Sequence, residues 1–208
     1  MRLMIAIPAL DFIQTKFVAD LLRLVNKLKN DGVEFEVEIR SGSLVNAARD
    51  YLAWQAIERD FTHVLWLDSD MTFEPDLLDG LMSSGKEFVS AVCAARREPY
   101  SLCIFSSLLD HETARWAGPY PGETFEIAGC GMACVLMETK ILRTVYGAYR
   151  TCFTPMNSYG EDTAFCLRAA ALGFKMYAEP KVKVGHIGQI IVYPENHFKY
   201  LEENNGNG

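Results

Sequence analysis

The stretch His63–Phe73, HVLWLDSDMTF, sets an unbroken apolar run against two aspartates spaced one residue apart. Val64, Leu65, Trp66 and Leu67 are apolar at consecutive positions, so both faces of the segment need cover, as in a strand buried inside a parallel sheet. Such a strand ends in a turn at the sheet edge. Asp68 and Asp70 fall at that turn, where a carboxylate needs a metal ion, a phosphoryl group or a local backbone donor as partner.

Working outward, the same pattern recurs on the N-terminal side. Leu3 to Ile7 forms a first strand that stops at Pro8. Phe17, Leu21, Leu24, Val25 and Leu28 follow at helical spacing, and Asn30-Asp31-Gly32 ends that helix. Val33, Phe35, Val37 and Ile39 alternate with Glu34, Glu36, Glu38 and Arg40, which predicts a strand with one buried and one acidic face. Ser43 is placed to cap a second helix that turns Val45, Ala48, Leu52, Ala56 and Ile57 inward. Strand, helix, strand, helix, strand implies an α/β protein with a mostly parallel, Rossmann-like central sheet flanked by helices.

On the C-terminal side, Pro75 opens a short helix through Met82, and Phe88 to Ala91 reads as a strand. From Arg96 to Phe125 the pattern is broken by Pro99, Pro119, Pro121 and Gly122, the expected place for substrate-facing loops. Gly129-Cys130-Gly131 is a turn into a strand over Ala133 to Met137, and Thr139 caps a helix through Tyr146. GEDTAFCLRAAALG opens the last helix at Gly160 and stops it at Gly173, with short strands over Phe174 to Tyr177 and Val182 to Val184. One domain over residues 1–193 is expected, with 194–208 as a partly disordered tail.

With 208 residues, half of them hydrophobic, the chain is long enough for one domain with a real core. A net charge of −7, from 20 basic and 27 acidic residues, disfavours a non-specific grip on nucleic acid. The six cysteines show no CxxC pair and no zinc-type spacing, which predicts buried free thiols and a reducing, cytoplasmic setting. The opening MRLMIAIPAL is interrupted by Asp11 and reads as a strand, not a signal peptide, and no apolar run approaches the ~20 residues of a membrane span.

The residues able to carry chemistry lie at three places. Asp68 and Asp70, with Ser69 between them, can aim two carboxylates at one hard cation; a plain surface turn is the bland alternative. Glu161 and Asp162 open a helix, where the dipole favours their ionised form and either can serve as a general base; ordinary helix-start chemistry is the alternative. His186, within Val184-Gly185-His186-Ile187-Gly188, is flanked by glycines that permit close approach, and imidazole suits a divalent metal.

In this order, the first strand ending in Pro, DSD after a buried third strand, AGCGMACVLM, GED opening a helix and a final strand with His resemble the nucleotide-sugar glycosyltransferases of the GT-A fold, above all the inverting family two. The resemblance spans Arg2 to Gly188. It implies Mn²⁺ or Mg²⁺ held by Asp70 and His186 on the donor diphosphate, with Asp68 on ribose or metal-bound water. It implies Asp162 as the base for the acceptor hydroxyl, with Glu161 the second choice. It also puts Pro8, Ala9, Arg49 and Ser69 near the nucleotide, and Gly129 and Gly131 under the donor sugar. A UDP-sugar is the favoured donor and a GDP-sugar the other; the acceptor is a saccharide, a protein, a lipid-linked sugar or a modified nucleic-acid base. No QxxRW-type motif follows the GED helix, which argues against a processive synthase.

Two rival readings stand beside it. LWLDSDMT also resembles the haloacid-dehalogenase-type phosphohydrolases, with Asp68 as nucleophile, Asp70 as acid/base and Thr72 on phosphate, although the motif falls on the third strand instead of the first. A non-catalytic sugar-binding protein on the same scaffold is the other.

Overall fold

A computed structural model of the chain describes residues 1–42, 44–109, 112–188 and 191–205. In chain order the elements are β1 (Arg2–Pro8), α1 (Thr15–Asn30), β2 (Glu34–Arg40), α2 (Val45–Glu58), β3 (His63–Leu67), β4 (Met71–Phe73), α3 (Leu77–Ser83) and β5 (Phe88–Ala91). They continue as β6 (Ile104–Leu109), β7 (Glu112–Arg115), β8 (Phe125–Ile127), β9 (Gly129–Cys130), β10 (Cys134–Glu138), α4 (Thr139–Tyr149) and α5 (Glu161–Ala171). The chain closes with β11 (Met176–Glu179), β12 (Val184–Ile187), β13 (Ile191–Val192) and α6 (Pro194–Asn205).

Seven strands form the central sheet in the order β2-β1-β3-β10-β5-β11-β8. β2, β1, β3, β5 and β11 run one way, while β10 and β8 are reversed. The sheet is covered on both faces, which is why β1 from Leu3 onward and β3 from Val64 onward are apolar. Met4, Ala6, Val64 and Trp66 face α2, α4 and α5 through Leu52, Ala56, Leu142 and Phe165. Leu3, Ile5, Ile7, Leu65 and Leu67 face α1 and α3 through Phe17, Leu24, Leu28 and Leu81. The sequence thus folds as an α/β domain of Rossmann-like type.

Several elements differ from expectation. β2 lies at the sheet edge, so Phe35 and Val37 are only half-buried and Ile39 is exposed; its acidic face is tied down by Arg2 and Arg59. The Ser43 cap falls outside the described residues. Val45, expected inward, is exposed at 40%. Thr139 is not the cap of α4: Glu138 holds that place, and Thr139 is buried as the first helical residue. Within Arg96–Phe125, β6 and β7 form an antiparallel hairpin that joins β9. Residues 194–208, expected as a tail, are helical over Pro194–Asn205, because His197 is buried, Phe198 packs on Tyr120 and Tyr200 on Tyr100. All six cysteines are free. Among the described residues no helix is long and apolar enough to cross a membrane.

Candidate functional site

Because β2 and β3 lie on opposite sides of β1, the crevice beyond the carboxyl ends of β1 and β3 is where an open α/β sheet binds ligands. The DSD turn lies at the carboxyl end of β3, between β3 and β4. Asp68 N–H donates to Ala133 O at 2.9 Å, Met71 N–H donates to Asp68 O at 3.1 Å, and the Ser69 carbonyl accepts from Gln14 N–H at 3.3 Å. These bonds fix the backbone of the turn, and the Asp70 carboxylate also accepts from its own backbone N–H.

Asp70 belongs to one cluster. Its Oδ2 lies 3.4 Å from His186 Nε2 and also pairs with Arg96. His186 comes from β12, which runs antiparallel to β4, so the strand pair itself brings histidine and aspartate together; Ile187 N–H donates to Asp70 O at 2.7 Å. His186 Nδ1 is 3.0 Å from Ala94 O, so Nδ1–H donates to that carbonyl and Nε2 is the nitrogen that faces Asp70, donating to it when the ring is protonated. Burial alone would raise the Asp70 carboxyl's pKa, but His186 and Arg96 outweigh it and hold the carboxyl below its ordinary value. Burial opposes the charged His186 ring, and Asp70 overrides it to raise the imidazole.

Asp68, Glu161 and Asp162 form a second cluster around Arg49. The α2 residues Ala48, Leu52, Ala53 and Ala56 face inward, and Arg49 is carried in with them, only 2% exposed. Its Nη2 donates to Asp68 Oδ1 at 2.9 Å, while its Nε lies 3.4 Å from Asp162 Oδ1 and 3.8 Å from Glu161 Oε1. Arg49 Nε and Asp162 Oδ1 are both buried without a hydrogen-bond partner. The Asp162 side chain keeps 28% of its surface, on the wall of a cleft of about 340 Å³ lined also by Cys103, Phe105, Arg115, Gly131 and Tyr159. Burial pushes the Asp162 carboxyl up to about 6, with Glu161 and Asp68 adding to the rise and Arg49 opposing it.

Among the other expected residues, Gly131 borders Asp162: a Cβ there would lie 3.5 Å from Asp162 Oδ2. Gly129 does not face a sugar site. A Cβ on it would meet Leu108 Cδ1 at 2.5 Å and the Cys166 Cβ at 3.0 Å, so its missing side chain serves core packing. Gly185 likewise gives way to Thr72 and Ile191, not to a ligand. Pro8 and Ala9 are buried at the end of β1, and the exposed rim beside them is Leu10 and Phe12. Thr72 is buried and donates its hydroxyl to Asp20 on α1, away from Asp68.

The sequence reading missed Arg96 and Arg115. Both sit in the segment without periodicity, where only the run Arg96-Arg97 hinted at a cation, and folding alone brings Arg96 to Asp70.

Among the described residues no group of three His, Cys, Asp or Glu side chains is already arranged to hold a metal ion. Asp70 and His186 nevertheless fit a divalent cation as a pair. One carboxylate and one imidazole converge, the far ring nitrogen is anchored on a carbonyl, and Arg96 supplies the neutralising charge that a cation would replace.

No protein-family model matches the chain, and no curated protein matches it. Among solved structures it is similar to A197 from STIV, with a TM-score of 0.66 and 17% identity, over 94% of this chain and 92% of that one. That likeness is one of fold.

Proposed function

We propose that the chain is a metal-dependent glycosyltransferase of the GT-A type that moves a sugar from a nucleoside-diphosphate sugar to an acceptor hydroxyl with inversion. The observation that carries this reading is the division of labour between two carboxylate centres that the DSD turn connects, Asp70 on one side and the Asp68–Arg49–Asp162 cluster on the other. Asp70 is held ionised beside His186, while Asp162 has raised proton affinity and opens on a cleft. The pairing suits a departing diphosphate on one side and a hydroxyl losing its proton on the other.

In this mechanism Asp70 and His186 would hold Mn²⁺ or Mg²⁺, which would supply charge neutralisation for the diphosphate leaving group. Asp68 and Ser69 line the donor side of the same turn. The acceptor occupies the 340 Å³ cleft between Asp162 and Arg115, where the Asp162 carboxylate takes the proton of the attacking hydroxyl. Gly131 leaves that approach open. Glu161, on the same helical turn, adds negative charge that keeps Asp162 basic. Donors of the UDP or GDP class suit the site, and six free thiols suit a reducing, cytoplasmic setting. The commitment of Thr72 to Asp20 favours this reading over a phosphohydrolase with Asp68 as nucleophile.

Titration calorimetry with UDP and GDP, with Mn²⁺ and then with chelator, tests the reading. Binding is expected only with metal. Turnover of an aryl phosphate that Asp68→Asn abolishes, with no nucleotide binding, would replace it by the phosphohydrolase.

A further inference from the structure

We infer that Arg49 is a positioning residue: its buried guanidinium ties Asp68 of the turn after β3 to Glu161 and Asp162 at the start of α5, and it does not grip a diphosphate. The word positioning rests on the function proposed above; the tie itself rests on geometry. An arginine with 2% exposure has no face left for a ligand, and burying its charge costs several kcal/mol unless carboxylates surround it. Three do, contributed by two elements that are far apart in sequence.

The planar fork accounts for the arrangement. One edge donates to Asp68 through Nη2, Nη1 lies 3.5 Å from Met132 O, and Nε is directed at Asp162. A lysine ammonium, a single point charge, cannot reach both sides. The 3.4 Å gap between Nε and Asp162 Oδ1, two atoms with no other partner, lets Arg49 hold Asp162 by charge, while the Met132 backbone N–H also reaches the carboxylate. Arg49 thereby fixes the distance between the donor-side turn and the acceptor-side carboxylate.

The test follows the Asp162 side-chain carboxyl by carbon NMR titration in the full chain and in Arg49→Met. The charged or titratable groups facing Asp162 are Arg49 from α2, Asp68 from the turn, Glu161 from its own helix, Cys103 and Cys130 from beside and within the hairpin sheet, and Arg115 of β7 and Tyr159 lining the same cleft. Loss of a cation this close should move the Asp162 midpoint up by about one pH unit or more. Should Arg49→Met fail to fold, the same comparison is made in a Glu161→Gln background, which removes one of the uncompensated carboxylates. A midpoint that stays in place overturns the tie.

The second readout is the affinity for UDP or GDP with Mn²⁺. It should change less than about threefold in Arg49→Met, whereas a lost guanidinium–diphosphate contact would cost about tenfold or more. The larger loss overturns the inference. If the unmodified chain binds neither nucleotide, the functional reading fails, and the Asp162 titration still decides whether Arg49 makes the tie.

Discussion

At the residue scale the site is governed by how burial divides its carboxylates. Asp162 and Asp70 are both partly enclosed, yet Asp70 gains an imidazole and an exposed guanidinium, while Asp162 shares one arginine with two other carboxylates. One is therefore held ionised, and the other is raised to about 6. A base works when deprotonated, so transfer should rise with pH and level off above about 6, a profile read from initial rates on an identified donor and acceptor. Asp162→Asn should cut transfer by about 10²–10⁴-fold. The same shift has a stability cost. Between about pH 4 and 6 the folded chain keeps a proton here that the unfolded chain has lost, so this group's contribution falls as pH rises through that window and stays low above it. Asp162→Asn should thus raise unfolding stability at pH 8 by about 1–2 kcal/mol, a full conversion of the shift being discounted for the exposed part of the side chain, and change it little at pH 4. Denaturant melts at the two pH values measure this; an equal loss at both would make Asp162 a structural cap. At this scale the sequence displayed Asp68, Asp70, Asp162 and His186 through their spacing to strands and helices. The isolation of Arg49 from solvent was hidden, because a helical arginine among alanines reads the same whether it faces water or a carboxylate.

At the element scale the site depends on short strands held by polar anchors. β4 is three residues long and carries the DSD turn into the pairing with β12 that delivers His186. Asp20 on α1 pins it: this fully buried carboxylate accepts from the Thr72 hydroxyl and, at 3.2 Å, from Phe73 N–H, and it pairs with Lys16 and Arg23. Burial would raise its carboxyl pKa, but Lys16, Thr72 and Phe73 outweigh it and lower it. Its stabilisation is therefore present above the unfolded carboxyl range and is lost as pH falls through the lower folded value. Asp20→Ala leaves two buried donors unsatisfied and should cost about 1–3 kcal/mol in chemical denaturation. No change at pH 7 would remove Asp20 from this role. Gly185→Ala should act at the same joint, since a Cβ would stand 2.6 Å from Ile191 and 2.8 Å from Thr72. It should cost about 1–3 kcal/mol and displace His186, seen as weaker metal-dependent nucleotide binding. Unchanged binding would show that β12 absorbs the methyl group. Little of this was legible. β12 and β4 are too short for a period, and the reversal of β10 leaves no trace in a strand that is apolar on both faces.

At the scale of the whole molecule, alternating strands and helices up to Leu67 were enough to read the Rossmann-like half, because each face of β1 and β3 demanded its own helical layer. In the second half the strands and helices around β5, β10, α4 and α5 were also legible, but the hairpin and the last helix escaped. The hairpin is short and flanked by prolines, and α6 looks like a polar tail until Tyr100 and Tyr120 supply the surface its aromatics pack against. The proposed donor site lies where the two halves meet: Asp68 and Asp70 leave the first half, while His186 and Arg96 come from the second, as does Asp162 on the acceptor side. A ligand bridging them stabilises the entire fold by mass action, by about 2.7 kcal/mol at a hundred times its Kd. For a domain of this size, that should raise the Tm by roughly 5–10 °C with UDP or GDP plus Mn²⁺. Nucleotide with chelator should give no such rise. Asp70→Asn should lose most of it because the cation loses its carboxylate, whereas Asp162→Asn should keep it, since that carboxylate faces the acceptor cleft. The contrast between the two variants is the decisive measurement. A metal-independent rise, or equal losses in both, would mean that the two carboxylate clusters do not divide donor from acceptor.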